Sequence, residues 1–372
     1  MFSFHDRLKH KRGKVDPLEN SVYHLVKSNP DLRYAAEARF SSPLPPINPA
    51  KMRLLKLSLI VALCALLAWD TTAVQAQPPA AQKPAPKPTG PRKEIPPPEA
   101  ISLTTKDGVV IHATYYGSTE GKKAIPVVML PGWERSQNDL TGLAKIMQKE
   151  GLAVVTVDLR GHGASKSVQG PNGQVTEIDL DRIRASDFET FVSQDLEAVK
   201  SFLMEENNKG NLNIEMLTII GCDYSAIAAL NFAARDWSWP TLPTLKQGQD
   251  VKGLVLISPP RTFKGFNANQ ALKMPVLQNE LSIMIIVGEA NRTDLTDGKR
   301  MFNSLEKFRQ KQMENPSDRT VFFATKPNDL SGTALLADPR SNCLKDILFF
   351  TKSHLAELQA NDPWHDRSTP LK

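Results

Sequence analysis

The sequence predicts an α/β domain on a mainly parallel sheet with helices on both faces, preceded by a leader and a linker. Three observations carry this. Short β-branched apolar runs recur from Ile125 to Ala324, with helical periodicity between them. The runs are apolar throughout rather than alternating, as strands covered on both faces require. Ahead of them, Lys106-Asp107-Gly108 joins two strand-like runs through an Asp-Gly turn, the signal of an antiparallel hairpin.

From the N-terminus, residues 1–51 are polar and basic, include Pro43, Pro45, Pro46 and Pro49, and lack sustained apolar periodicity. Met52 then opens a segment, 52–76, with the three parts of a secretory signal peptide. Arg53 and Lys56 supply positive charge, Leu57 to Trp69 an apolar run, and Thr71 to Ala76 a small-residue ending. That run is shorter than the ~20 residues of a membrane span. Leu63 before Cys64 argues against a lipidated cysteine. The expectation is therefore cleavage after Ala76 and a periplasmic or extracellular protein, touching membrane only if the leader stays on. Because such leaders work at an N-terminus, Met52 is the expected start and 1–51 an upstream extension.

Residues 77–99 read as a linker. Nine prolines fall between Gln77 and Pro98, and proline fixes φ and removes hydrogen-bond donors, favouring an extended spacer. The domain is expected over 100–360, with a tail over 361–372. Its strands are Ile101–Thr105, Val109–Tyr116, Ile125–Leu130, Ala153–Val157, Leu217–Ile220, Gly253–Ile257, Ile283–Val287 and Val321–Ala324. Helices fall near 137–150, 187–206, 225–235, 297–312 and 341–360.

Charge narrows the function. Residues 1–76 hold 11 of the 46 basic and 6 of the 40 acidic residues. The basic character thus belongs to the leader, and the rest is nearly neutral, without the clustered patch that nucleic acid requires. No CxxC or Cys/His cluster suggests a metal, and no glycine-rich nucleotide motif suggests a cofactor. Cys222 and Cys343 are expected to stay unpaired.

Local motifs go further than the alternation. Val127-Val128-Met129-Leu130-Pro131-Gly132-Trp133 resembles the third strand and oxyanion loop of the α/β-hydrolase superfamily. Asp158-Leu159-Arg160-Gly161-His162-Gly163-Ala164-Ser165 matches the turn that follows that family's next strand, and Gly221-Cys222-Asp223-Tyr224-Ser225-Ala226 stands where its nucleophile elbow belongs. The resemblance covers about Ala100 to Gln359 in family order. It implies an α/β-hydrolase fold, eight-stranded and mainly parallel. Only Ser258 to Leu281 separates the two strands between which a cap usually enters, so no large cap domain is expected.

An elbow needs small residues two before and two after its nucleophile. With Asp223 there, Gly221 and Ser225 meet that need; with Ser225 there, Ile227 would not. Aspartate therefore holds the nucleophile position. The resemblance places Asn291 at the acid position, with Asp294 as a possible substitute, and Ser331 where the histidine base belongs. The oxyanion donors map to the backbone N–H groups of Trp133 and Tyr224, although Pro131 replaces a histidine often found before Gly132. No histidine lies between His162 and His354. His112 and His162 read as structural, leaving His354 or His365 as the only candidates for a relocated base. Beside the oxyanion donors, an unpaired Asp223 is expected to be a stabilised anion. The leading expectation is a non-catalytic hydrolase-fold protein that binds a small ligand or a protein partner. The alternative is a hydrolase of ester or related bonds with an unorthodox Asp223-centred site.

Overall fold

The computed structural model describes residues 94–170, 172–240, 242, 246–309 and 319–368. The upstream extension, the leader and most of the linker lie outside them. Among the described residues, no helix is long and apolar enough to cross a membrane.

All eight expected strands form, in one sheet. They are β1 (Glu99–Thr104), β2 (Val110–Tyr116), β3 (Pro126–Leu130), β4 (Ala153–Val157), β7 (Leu217–Cys222), β8 (Val251–Ile257), β9 (Ser282–Gly288) and β10 (Val321–Lys326). Their order across the sheet is β1-β2-β4-β3-β7-β8-β9-β10. Only β2 runs against the rest: it pairs antiparallel with both β1 and β4, and every other pairing is parallel. A small hairpin, β5 (Ser167–Gln169) with β6 (Val175–Glu177), stands apart from this sheet.

Continuous apolar strands are consistent with the two-sided core. Because successive side chains alternate across a sheet, Val128, Leu130, Ile219, Leu254 and Ile285 join one buried cluster. Val127, Met129, Ile220, Val255 and Ile286 join the other. Helices α2 (Leu196–Asn208), α3 (Tyr224–Ser238) and α5 (Arg292–Arg309) cover the first face, through Leu203, Ala229 and Leu305 among others. Helices α1 (Thr141–Lys149), α6 (Gly332–Ala337) and α7 (Cys343–Leu348) cover the second, through Met147, Leu335 and Ile347. One short helix, α4 (Pro275–Asn279), lies between β8 and β9, where no room for a cap was expected.

Helix boundaries moved by a few residues. The turn into α2 is wide, with a π-type stretch over Phe191–Asp195. Helix α5 starts at Arg292 rather than near 297, since Asn291 caps it: its carbonyl accepts from Leu295 N–H at 2.9 Å and its Oδ1 from Asp294 N–H at 3.2 Å. The β5–β6 hairpin and α6 were not anticipated.

Two ionic clusters tie the opening hairpin and the last described residues to the rest of the domain. Arg160 donates from Nε and Nη2 to Asp195 Oδ1, at 2.8 and 2.6 Å, and from Nη1 to Asp107 at 2.7 Å. It joins the opening hairpin to the entry of α2. At the other end, Arg367 is 97% enclosed and donates to Glu215 at 2.8 Å and to Asp250 at 2.6 Å. The tail segment 362–368 therefore packs onto the domain, with Trp364 Nε1 donating to the Asn207 carbonyl at 3.1 Å. At the linker end, the Pro96 carbonyl accepts from Gln148 Nε2 at 2.8 Å. The last linker residues are anchored too.

Candidate functional site

The carboxyl ends of parallel strands are where open α/β sheets build their sites, because helix starts and loops converge there. Asp223 stands at that edge between β7 and α3. Its φ of 52° and ψ of −122° lie in a region that a non-glycine residue adopts only under constraint. The neighbours supply the constraint. A Cβ added at Gly221 would stand 2.5 Å from the Ser225 carbonyl oxygen and 2.7 Å from the Ala226 backbone. Ser225 is fully buried, accepts from Cys222 N–H at 2.8 Å and donates to the Leu130 carbonyl at 2.9 Å. It braces the turn. Asp223 thus occupies the strand-to-helix turn, with Gly221 and Ser225 at the cramped positions two before and two after.

A strained strand-to-helix elbow on a sheet of this order decides the architecture. The chain has an α/β-hydrolase fold. The Asp158 turn belongs to it as structure: Asp158 Oδ1 accepts from Gln137 N–H at 2.7 Å and Oδ2 from Ala164 N–H at 3.0 Å.

No protein-family model matches the chain. No curated protein matches it. Among solved structures, an esterase from Pyrococcus furiosus is 14% identical over 69% of this chain and 92% of its own, with a TM-score of 0.48. A dienelactone hydrolase from Anabaena variabilis is 16% identical over 72% of this chain and 99% of its own, at 0.47. A thioesterase domain from the curacin biosynthetic pathway is 14% identical over 68% of this chain and all of its own, at 0.44. The fold is assigned on strand order and elbow geometry.

Within this α/β-hydrolase fold the expected positions converge unevenly. Ser331 is beside Asp223: its Oγ donates to Asp223 Oδ1 at 3.3 Å. The Thr333 backbone N–H bonds the same carboxylate. Gly132 and Gly332 press on it from two sides, for a Cβ at either would strike Oδ2. Thr333 Oγ1 accepts from Gly132 N–H at 2.7 Å and so ties α6 to the loop after β3. The carboxylate fills the gap between these loops. Asn291 is committed to capping α5, whereas Asp294, in the first turn of that helix, acts on Asp223 through its charge.

Burial and the Asp294 charge raise the Asp223 pKa to about 6, against the pull of Ser331, Thr333 and Arg135. This corrects the expectation of a stabilised anion: desolvation outweighs the surrounding donors.

No described histidine is hydrogen-bonded to Asp223. His354 Nε2 shares a 2.7 Å hydrogen bond with Ser282 Oγ, at the first residue of β9. Seven residues of strand at ~3.3 Å each put that bond about 20 Å from the carboxyl edge. His365 lies in the tail, where its carbonyl accepts from Asn207. His112 Nδ1 meets Ser102 Oγ at 3.2 Å on the opening hairpin. His162 does stand near the elbow, 2% exposed, with Nδ1 donating to the Arg160 carbonyl at 3.0 Å. Its ring stacks on Tyr224 at 5.4 Å and meets Trp133 edge-on at 4.8 Å. Burial lowers its pKa, and Nε2 has no hydrogen-bond partner in the described structure.

Trp133 and Tyr224, whose backbones were expected to form the oxyanion pair, pack their rings against each other at 5.2 Å within this cluster. Tyr224, Phe188 and Phe191 are at most 1% exposed, and Phe263 closes against Trp133 at 5.0 Å. Aromatic rings from four separate segments meet beside the elbow. Cys222 and Cys343 are free and buried, with burial pushing both thiols up. Ser258, which sequence reasoning passed over, stands at the end of β8 with φ of 48°, 2% exposed and with Oγ unbonded. A serine between a buried strand and Pro259-Pro260 was the available signal.

Proposed function

We propose that this chain is an exported α/β-hydrolase-fold protein that no longer catalyses hydrolysis and instead binds a small ligand or a protein partner. One observation carries the reading: Asp223 takes its hydrogen bond from Ser331, in the place of a base, and no described histidine bonds to it. Ester hydrolysis by a serine needs a base to take the hydroxyl proton, and release of an aspartyl ester needs a base to activate water. The lone pairs of a serine hydroxyl are too weakly basic at neutral pH to do either. Losing one triad member typically costs ~10⁴-fold in rate, and here nucleophile, acid and base positions are all changed.

The proposal includes cleavage of the leader after Ala76 and location in the periplasm or outside the cell. It includes no nucleic-acid partner, and membrane contact only through a retained leader. N-terminal sequencing of the exported protein checks this; a product that still begins within residues 1–51 contradicts it.

The second reading, an Asp223-centred hydrolase of ester-like bonds, is favoured by the proximity of Asp294 and a pKa of about 6. Two interacting carboxyls can hold and pass one proton. Substitution separates the two. If the base is missing, Asp223→Ser stays inactive on p-nitrophenyl acetate, and Asp223→Ser/Asn291→Asp/Ser331→His gains weak turnover. Activity from Asp223→Ser alone would mean that a base is already in place.

A further inference from the structure

Three strands end side by side at the carboxyl edge, and the groups they carry have not all found partners. Cys222 pairs with Ile257 in the parallel register, so Asp223 and Ser258 are the next positions of β7 and β8. Both leave the strand with positive φ, 52° and 48°. Asp223 N–H donates to the Ile257 carbonyl at 3.0 Å, and Ser258 N–H to the Ile286 carbonyl at 2.9 Å, which holds the two residues abreast. The loop leaving Ser258 is fastened to α5 by Arg261 N–H, which donates to Asp297 Oδ2 at 3.1 Å. Asp294 belongs to the preceding turn of that helix.

Ser258 Oγ and Asp294 Oδ2 are both buried without a hydrogen-bond partner among the described residues. A buried polar atom left so costs ~1–3 kcal/mol, and a charged one more. A buried polar group calls for a partner, whether water or ligand. Asp294 also repels the Asp223 carboxylate, which accepts from Ser331 Oγ on Oδ1 and from the Thr333 N–H.

We propose that Asp223, Ser258 and Asp294 form a binding site for a primary ammonium group. The chemistry selects it. The three side chains offer three acceptors, and an ammonium brings three N–H donors, a positive charge and no acceptor. Two carboxylates repel an anion. A hydroxyl-bearing ligand would bring no charge to offset theirs. Calcium or magnesium takes six or more oxygens, while no group of three or more His, Cys, Asp or Glu residues is arranged for a metal among the described residues. The inference rests on the non-catalytic reading, in which Asp223 is free to serve as an acceptor.

The test is calorimetric titration of the purified exported chain with n-butylammonium chloride at constant ionic strength. Tetramethylammonium, which has no N–H, and calcium chloride are titrated in parallel. n-Butylammonium is expected to bind at least tenfold more tightly than tetramethylammonium, and Asp294→Asn and Ser258→Ala each to weaken it severalfold or more. Carbon-13 NMR of the Asp223 carboxyl in the wild type gives a second readout that needs no variant: n-butylammonium should shift it. Absent binding, equal binding of tetramethylammonium, binding of calcium alone, or an unmoved Asp223 resonance overturns the proposal. Ester turnover lost in Asp223→Asn would overturn the non-catalytic reading instead, whatever the amine titration gives.

Discussion

Asp223 is held at a cost. Its folded-state pKa of about 6 stands above the 3.8 of an unperturbed aspartate, chiefly through burial and then through Asp294. A group whose folded pKa is raised contributes stability that is complete below the unfolded value and lost as pH rises through the folded one. At pH 7 the wild type therefore carries the whole penalty, of the order of 2–3 kcal/mol for a shift of about two units. Asp223→Asn keeps the shape, still accepts from Ser331 and carries no charge. Its melting temperature should exceed the wild type's at pH 7, and the gap should close by about pH 4. A variant less stable than wild type at pH 7 would mean that the anion is stabilised in the fold. Much at this scale was legible in sequence. Small residues around Asp223 fixed the elbow register, and Ser331 was placed beside it by its position before Gly332-Thr333. The direction of the Asp223 shift was not legible, because it depends on how deeply the loops of Gly132 and Gly332 enclose one carboxylate. Ser258 was missed for the same reason: a serine's lack of partners is visible only once the surrounding chain is placed.

Helix α6 shows how an element depends on the residue it faces. Gly332, its first residue, has φ of 50°, and a Cβ there would run into the Asp223 carboxylate. Gly332→Ala should lower stability by about 2 kcal/mol or more, combining a left-handed alanine with a buried clash. Adding Asp223→Gly should recover part of that loss, since contacting residues are non-additive. Urea unfolding of the single and double variants measures the coupling, and simple additivity would show that the two do not touch. Elements with strong local signals were legible in sequence: eight strands, the Asp-Gly turn and five helices. The β5–β6 hairpin was not, for its strands have three residues each and gain little from local propensity. Helix α6 is only six residues long and is fixed by contacts with the loop after β3 rather than by its own periodicity.

Across the whole molecule, the tail acts as a clasp. Arg367 sits among Glu215, Asp250 and the Lys246 carbonyl, while Lys200 meets Asp236 and Asp250 from within the core. Removing one member of a buried ion network strands its partners and costs ~3–5 kcal/mol. Arg367→Met should lower unfolding free energy by about that much, and ending the chain after Gln359 should lower it at least as far. Unchanged denaturant midpoints would show that the tail is dispensable. Nothing in the polar composition of 361–372 announced this, since the partners of Arg367 lie over 100 residues away in the chain. The aromatic packing beside the elbow is non-local in the same way: Trp133, Phe188, Tyr224 and Phe263 come from four different segments. Beside it, the Asp223 carboxylate accepts from Ser331 and from no described histidine. The most direct measurement is hydrolysis of a series of p-nitrophenyl esters by wild type and Asp223→Asn side by side. The same background rate is expected for both, and wild-type turnover well above background that Asp223→Asn abolishes would contradict a non-catalytic Asp223.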